Sequence, residues 1–153
     1  MAEIAFTSLL GLDHRDEVER LLFFNENQSR SSEAVAYVVE RYGMPKLRAE
    51  DDRLRVDLAS EVSVQTLYAV RPTPGGPSPV GVAVYTRDAD ALIVLLTAIH
   101  EDYSAGGVFA RHRVLVQLIA EIKRIARSVR GIERVVVYVG RRTPARLSVR
   151  RGA

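Results

Sequence analysis

The sequence of 153 residues contains no cysteine. It therefore has no disulfide framework, no thiolate metal site and no cysteine nucleophile. Its three histidines, His14, His100 and His112, do not have the spacing of metal ligands, so we expect no metal. The sequence also lacks the G-x-S-x-G, Walker and zinc-finger patterns, which leaves hydrolase, NTPase and zinc-finger functions without support.

Long hydrophobic runs are also absent. The stretch ALIVLLTAI, residues 91–99, is too short to cross a bilayer and predicts a buried strand. The N-terminal residues carry no basic segment and meet acidic residues early, so we expect no signal peptide. These features predict a cytoplasmic protein that does not associate with a membrane.

The remaining composition fits one globular domain over residues 1–153. The chain is 47% hydrophobic and 27% charged, and it is long enough to bury a core. Its charge is uneven, because residues 1–110 carry 10 basic and 17 acidic side chains whereas residues 111–153 carry 12 and 2. A basic final third is typical of a site for an anion, such as a phosphorylated cofactor or a nucleic acid, but also of a solvated helix face.

Hydrophobic periodicity predicts the element order β-α-α-β-β-β-β-α-β, followed by a possible short helix. Asp13 is the expected N-cap of the first helix and Thr143 that of the last. The proline-rich residues 71–79 predict a hairpin connection or a loop. The expected strands cover residues 4–10, 53–60, 62–70, 79–87, 91–100 and 132–139, the second helix covers 32–43, and the long helix runs from Val114 through Val129 and ends at Gly131.

The strand, long helix and strand over residues 91–139 predict two parallel neighbouring strands. The strands before them predict an antiparallel meander. We therefore expect the α+β class, with a mixed, mostly antiparallel sheet flanked by helices.

The phrase AIHEDYSAGGVF, residues 98–109, is followed by the long helix and the strand IERVVVYV. Together they resemble the signature region of the GNAT superfamily of acyl-CoA N-acyltransferases. His100, Asp102 and Tyr103 match the family phrase, and Glu101 replaces its usual proline. The tail TPARLSVRRGA is similar to the start of the family's following helix.

The resemblance implies an N-acyltransferase that moves an acetyl or other acyl group from acyl-CoA to an amine by direct attack on the thioester. It implies acetyl-CoA or another acyl-CoA as co-substrate and an amine acceptor that the sequence does not identify. In this family the loop before the long helix holds the cofactor pyrophosphate with backbone N–H groups. The cofactor-binding residues implied here are Ala98, Ile99, Ser104, Ala105, Gly106, Gly107, Arg111 and Arg113.

The sequence departs from the family pattern in two places. The cofactor loop is degenerate: when the phrase is aligned on Tyr103, Ser104 stands at the arginine position and Phe109 at the second glycine. The C-terminus is truncated relative to the family, because the family's usual tyrosine falls at Ser148 and its last hairpin is missing. Two alternatives therefore stay open, a GNAT-like binding module without catalysis and a basic nucleic-acid-associated protein. The lack of aromatic residues in the basic tail weighs against nucleic acid.

The sequence does not identify a catalytic residue. Glu61, Glu101 and Asp102 are candidates for deprotonating an amine, although acids at solvated strand ends are commoner. His100 is a further candidate, because histidine can serve as a general base near neutral pH, but a histidine at a strand end is more often a solvent-edge residue. Tyr138 is the candidate for reaching a thiolate, and a packed aromatic ring is its commoner role.

The missing hairpin also leads to a prediction about assembly. Without it, the strand VVVYV at residues 135–139 would be an exposed apolar edge. We therefore expect a homodimer in which the partner covers that edge.

Overall fold

The computed structural model describes residues 3–23, 39–59, 63–138 and 145–149. They form a six-stranded sheet in the order β1-β4-β5-β6-β7-β8 and a separate hairpin of β2 and β3. All neighbours are antiparallel except β6 and β7, which are parallel. The elements are β1 (Ala5–Thr7), a 3-10 turn (Leu12–His14), α1 (Arg15–Phe23), β2 (Pro45–Glu50), β3 (Arg53–Leu58), β4 (Gln65–Thr73), β5 (Gly76–Asp88), β6 (Ala91–Ile99), two 3-10 turns (Glu101–Tyr103 and Ala110–His112), α2 (Val114–Ser128), β7 (Arg134–Val137) and β8 (Ala145–Ser148).

This architecture confirms the predicted α+β class, with a mostly antiparallel sheet flanked by helices. The predicted parallel pair around the long helix is also confirmed, since β6 and β7 lie side by side with α2 between them in sequence. The predicted strand at residues 91–99 coincides with β6. The long helix ends at Ser128, three residues before the predicted stop at Gly131.

The core has two parts, one on each face of the sheet. On one face, α1 packs through Val18, Leu21 and Leu22. On the other face, α2 packs through residues at helical spacing, of which Leu118 and Ile122 are fully buried. The apolar periodicity of α2 thus points at the sheet, as the sequence pattern requires.

A β-bulge in β6 changes which face each of its side chains meets. Ile93 and Leu95 face the α1 side, and Leu92 and Val94 face the α2 side. The register with β5 then shifts, because Tyr85 pairs with Val94 while Val84 pairs with Leu96. Beyond the extra residue Leu95 the alternation is reversed, so that Ala98 faces α1 and Ile99 faces α2.

The predicted hairpin connection at residues 71–79 is confirmed, but the turn is shorter than the predicted loop. Strands β4 and β5 extend through most of this segment, pairing Pro72 with Pro77 and Thr73 with Gly76. The turn itself is confined to residues 74–75. Proline is accommodated because this hairpin projects beyond the rest of the sheet, where a missing N–H costs no buried hydrogen bond.

Two local predictions in the first part of the chain were wrong. Asp13 does not cap α1; it lies inside the 3-10 turn that precedes the helix, and Gly11 precedes that turn. The sequence reasoning also left Pro45–Glu50 out of the strands, but this segment is β2, paired along its length with β3. Its turn uses Asp51 and Asp52 with φ of 51° and 62°, a conformation that aspartate tolerates better than most residues.

The predicted second helix is described only at residues 39–42, which are helical. The Gly43 N–H donates to the Val39 carbonyl at 2.9 Å, and Gly43 has φ of +91°, so the helix ends at the predicted glycine. The earlier part of that helix, and its caps Ser31 and Ser32, lie outside the described residues.

The C-terminal prediction needs a correction. Residues 145–148, expected to continue a helix, form β8 and pair antiparallel with β7. Thr143, its predicted N-cap, lies outside the described residues. Because β8 covers the outer edge of β7, the exposed edge on which the homodimer was argued is not present there. The homodimer stays a prediction, now without that support.

Candidate functional site

The candidate site begins where β6 loses one of its two neighbours. Pairing between β6 and β7 runs from Ala91–Arg134 to Val94–Val137. The Tyr138 N–H donates to the Val94 carbonyl at 3.2 Å, and the described part of the chain shows no ladder pair with β7 beyond it. Within the described residues, Leu96 to Ile99 of β6 therefore pair with β5 alone, which leaves Thr97 at a local strand edge.

The bulge decides which backbone groups face that edge. The His100 N–H donates to the Val80 carbonyl at 2.8 Å, so His100 and, by alternation, Ala98 direct their backbone groups at β5. Thr97 and Ile99 direct theirs to the other side, beyond the last described pairing with β7, and the Ile99 carbonyl accepts from the Ser104 hydroxyl at 3.4 Å. Of the two predicted strand residues, Ile99 has the orientation that the prediction requires and Ala98 does not.

Ser104 closes the end of β6. Its hydroxyl lies 3.4 Å from the Ile99 carbonyl oxygen and 3.2 Å from that of His100. The side chain therefore ties the following loop to the strand rather than pointing a hydroxyl into solution.

The adjacent glycines of the loop are explained by the turn. Gly106 has φ of +85°, which favours glycine. Gly107 does not have a positive φ; a Cβ there would lie 2.5 Å from the Asp102 carbonyl oxygen. Both glycines are thus required for the loop to fold back on the 3-10 turn after β6. Of the two glycines, Gly106 alone therefore provides the positive φ that this turn needs.

Most of the described N–H groups at the end of this loop are used inside it. Those of Gly107, Phe109, Ala110, His112 and Arg113 all donate to loop carbonyls. They do not form a free row of donors around an anion. The sequence suggested such a row from the adjacent glycines, which a tight turn needs equally.

The first backbone N–H groups of α2 are the hydrogen-bond donors that remain at the end of this loop. The Gln117 N–H donates to the Arg113 carbonyl at 3.0 Å, so the N–H groups of residues 114–116 precede the helical ladder. Arg113 occupies the N-cap with φ of 48° and ψ of 55°, and its side chain makes no capping hydrogen bond. Such a helix start carries partial positive charge.

Arg111 and Arg113 lie next to this helix start, but among the described residues their guanidinium groups share no common contact. The Arg111 guanidinium lies 5.7 Å from the centre of the Phe109 ring, and its Nη1 is 3.5 Å from the Val108 carbonyl oxygen. Arg113 is exposed. Their positive charge is therefore available at the surface of the loop.

A cavity of about 210 Å³ adjoins the loop, between α1, the β4–β5 hairpin and the residues after β6. The Tyr103 ring, which is buried, stacks on Phe109 at 5.1 Å and lies 5.7 Å from the His112 ring. The Arg71 guanidinium approaches Phe109 from another side at 6.0 Å. Sequence reasoning missed this contact, because Arg71 belongs to no motif and Phe109 was considered only as a departure from the family's cofactor loop.

Three of the candidates for acid–base chemistry, His100, Glu101 and Asp102, line this cavity. His100 Nδ1 accepts a hydrogen bond from the Asp102 N–H at 3.1 Å, which puts the proton of the neutral ring on Nε2. In that state His100 is a donor from Nε2 and a poor general base. Glu101 and Asp102 are exposed at the cavity rim.

The remaining candidates do not meet there. Tyr138 follows β7 and packs against the α1 side of the core. Ser148 pairs with Arg134, at the opposite end of β7 from the point where β6 and β7 separate. Glu61 lies outside the described residues.

Another tyrosine, Tyr68, is fully buried, and its hydroxyl donates to the Leu54 carbonyl at 3.1 Å. Burial raises the pKa of this hydroxyl well above its ordinary value. Tyr85 shows the same direction for the same reason. Neither hydroxyl is therefore ready to give a proton to a leaving group at neutral pH.

Two features are absent from the residues whose structure is described. No group of three or more His, Asp or Glu side chains is arranged to hold a metal ion. No helix in the same residues is long and apolar enough to cross a membrane.

Comparison with known proteins gives a likeness of fold only. No family model matches the chain, and no curated protein matches it. Among solved structures, the chain is similar to an IAA acetyltransferase from Bacillus cereus, at 15% sequence identity and a TM-score of 0.40. The match covers 88% of this chain, and this chain spans 65% of the length of that one.

Proposed function

We propose that the chain is an N-acyltransferase that takes an acyl group, such as acetyl, from acyl-CoA to an amine. The observation that supports it best is the edge of β6 at Thr97, which pairs with Ala83 of β5 and with no described residue of β7. A pantetheine arm is a chain of amides, and amides can add to a strand edge in the way that peptides do. Thr97 directs its backbone groups to that edge.

The start of α2 supports the same proposal. It follows β6 by one loop, and its free N–H groups and partial positive charge suit a diphosphate. Arg111 and Arg113 add positive charge beside it. The diphosphate would therefore rest on the first turn of α2 rather than on the two adjacent glycines.

The reaction would be direct attack of a neutral amine on the thioester carbonyl. A carbon–nitrogen bond forms, the carbon–sulfur bond breaks, and the amine proton leaves to water or to an acid at the rim such as Glu101 or Asp102. CoA leaves as the thiol once its sulfur takes up a proton. A low-dielectric cleft beside β6 would favour the neutral amine.

The inward N–H groups of the loop favour one other function, a GNAT-like binding module without catalysis. The two functions differ in their response to acyl-CoA. Acetyl-CoA at about a hundred times its Kd should stabilise the transferase by about 2.7 kcal/mol, a rise in Tm of roughly 2–8 °C.

The control is adenosine 3′,5′-bisphosphate, which lacks the pantetheine arm and should give a smaller rise. Release of CoA thiol that requires an added amine then identifies catalysis. No rise in Tm with any acyl-CoA would contradict the transferase, and salt-sensitive binding of oligonucleotides instead would favour a nucleic-acid partner.

A further inference from the structure

The cavity beside the loop has an apolar floor and a cationic wall. Leu21, Val80 and Tyr103 are buried and contribute to its lining. Arg20, on α1, and Arg71, on β4, line it as well. At about 210 Å³, the cavity has room for a small molecule rather than a single water.

The two arginines lack carboxylate partners. The described residues place no Asp or Glu oxygen within 4 Å of either guanidinium. Arg71 Nε is buried and has no hydrogen-bond partner within the described part of the chain. A buried N–H of this kind carries an energetic cost unless an acceptor meets it.

Three acidic side chains also line the cavity, Glu17, Glu101 and Asp102, and none of them lies within 4 Å of either guanidinium. Glu17 is already engaged, since its carboxylate accepts from Ser78 Oγ at 2.9 Å and lies 2.9 Å from His14 Nδ1. Glu101 and Asp102 are exposed at the rim. His100, which carries its proton on Nε2, adds a donor to the cavity lining.

We propose that this cavity binds a small carboxylate with an apolar body, the carboxylate meeting Arg71 and Arg20 and the body resting on Leu21, Val80 and Tyr103. Guanidinium groups suit a carboxylate because their N–H donors match its two oxygens. Two sources share this chemistry, an apolar amino acid and an organic acid without an amine. The site does not depend on acyl transfer; if the chain is a transferase, an amino acid there is a candidate acceptor.

Three related probes separate the possibilities: L-leucine, 4-methylpentanoate, which is leucine without its amine, and isoamylamine, which is leucine without its carboxylate. Calorimetry without acyl-CoA should show saturable binding of both carboxylates at millimolar concentration and none of the amine. Either order of the two carboxylate affinities supports the site and identifies its source. Because acyl-CoA is absent, the result stands or falls separately from the proposed acyl transfer.

Arg71→Gln should weaken carboxylate binding by about tenfold or more, since a charged hydrogen bond is lost. Arg20→Gln, at an exposed position, serves as the second variant if Arg71→Gln does not fold, and should also weaken binding. Arg124→Gln removes the same charge from an exposed site on α2 and should leave binding unchanged.

Three results would overturn the proposal. The first is no binding of either carboxylate, and the second is equal binding of isoamylamine. The third is displacement of the carboxylate by adenosine 3′,5′-bisphosphate, which would assign the cavity to the cofactor.

Discussion

The two halves of β6 are alike in sequence and different in environment. Residues 91–94 pair with β5 on one side and β7 on the other, whereas residues 96–99 pair with β5 alone in the described structure. The first half closes the sheet, and the second half opens an edge beside the start of α2. One strand therefore joins β5 to β7 in its first half and provides the candidate binding edge in its second half. The bulge at Leu95 lies between the two halves.

Proline substitution should separate the two halves most clearly. Val94 directs its backbone groups at β7, so Val94→Pro removes a ladder hydrogen bond and orphans a buried carbonyl, at a cost of about 1–3 kcal/mol before any loss of packing. Thr97 directs its N–H to the open edge, so Thr97→Pro should cost much less stability. Urea unfolding measures both free energies.

The same pair should reverse its order in cofactor binding. Thr97→Pro removes one N–H donor from the edge and should weaken acetyl-CoA binding by roughly fivefold, as for one hydrogen bond of about 1 kcal/mol. Equal destabilisation by the two prolines would show that Thr97 does not lie on an open strand edge.

A glycine in β5 should test how closely α2 packs on the open half. Gly81 pairs with Ile99, and a Cβ there would lie 3.1 Å from Val114 Cγ1 and 3.3 Å from Leu118 Cδ1. Gly81→Val should therefore displace the start of α2 and lower the free energy of unfolding by about 1–3 kcal/mol.

Gly75→Ala is the matched control for that substitution. It lies in the β4–β5 turn, where the nearest neighbour of a Cβ would be Thr73 Oγ1 at 4.0 Å. Its free energy of unfolding should stay close to that of the original protein. If Gly81→Val were as stable as Gly75→Ala, α2 would have slack against the sheet at its N-terminal end.

The sequence predicted the strands and helices of this region because periodicity reports burial. ALIVLLTAI predicted a buried strand, and the apolar spacing from Val114 onward predicted α2. The bulge could not be predicted, since Leu95 and Leu96 are as apolar as their neighbours and alternation is invisible in a uniformly apolar strand. The point where the described pairing of β6 with β7 stops, at Val94, also has no signal in the local sequence.

The loop shows a second limit of sequence reasoning. Two adjacent glycines fit a phosphate-binding loop and a tight turn equally well, and only the carbonyls of Glu101 and Asp102 against Gly107 distinguish them. Arg71 was missed because it joins the cavity through the fold rather than through a motif. At β8, the prediction of a helix rested on Thr143 as an N-cap, but residues 145–148 pair with β7 as a strand.

The smallest expected effect concerns charge at the start of α2. Val116 is 61% exposed in the first turn of that helix. Val116→Glu should stabilise the helix by about 0.3–1 kcal/mol, because a negative charge complements the helix dipole there. The same charge should repel a diphosphate at about 1 kcal/mol for a 4 Å separation in water, a loss of affinity of roughly fivefold.

Val116→Gln introduces a side chain as long as that of Val116→Glu but without the charge. The difference between the two variants therefore isolates electrostatics from shape. Thermal unfolding should rank Glu above Gln, while calorimetry with acetyl-CoA should rank Gln above Glu, and the second difference should shrink as salt is added. If the two variants bind acetyl-CoA equally at low salt, the diphosphate does not rest on the first turn of α2. The open half of β6 would then need another partner.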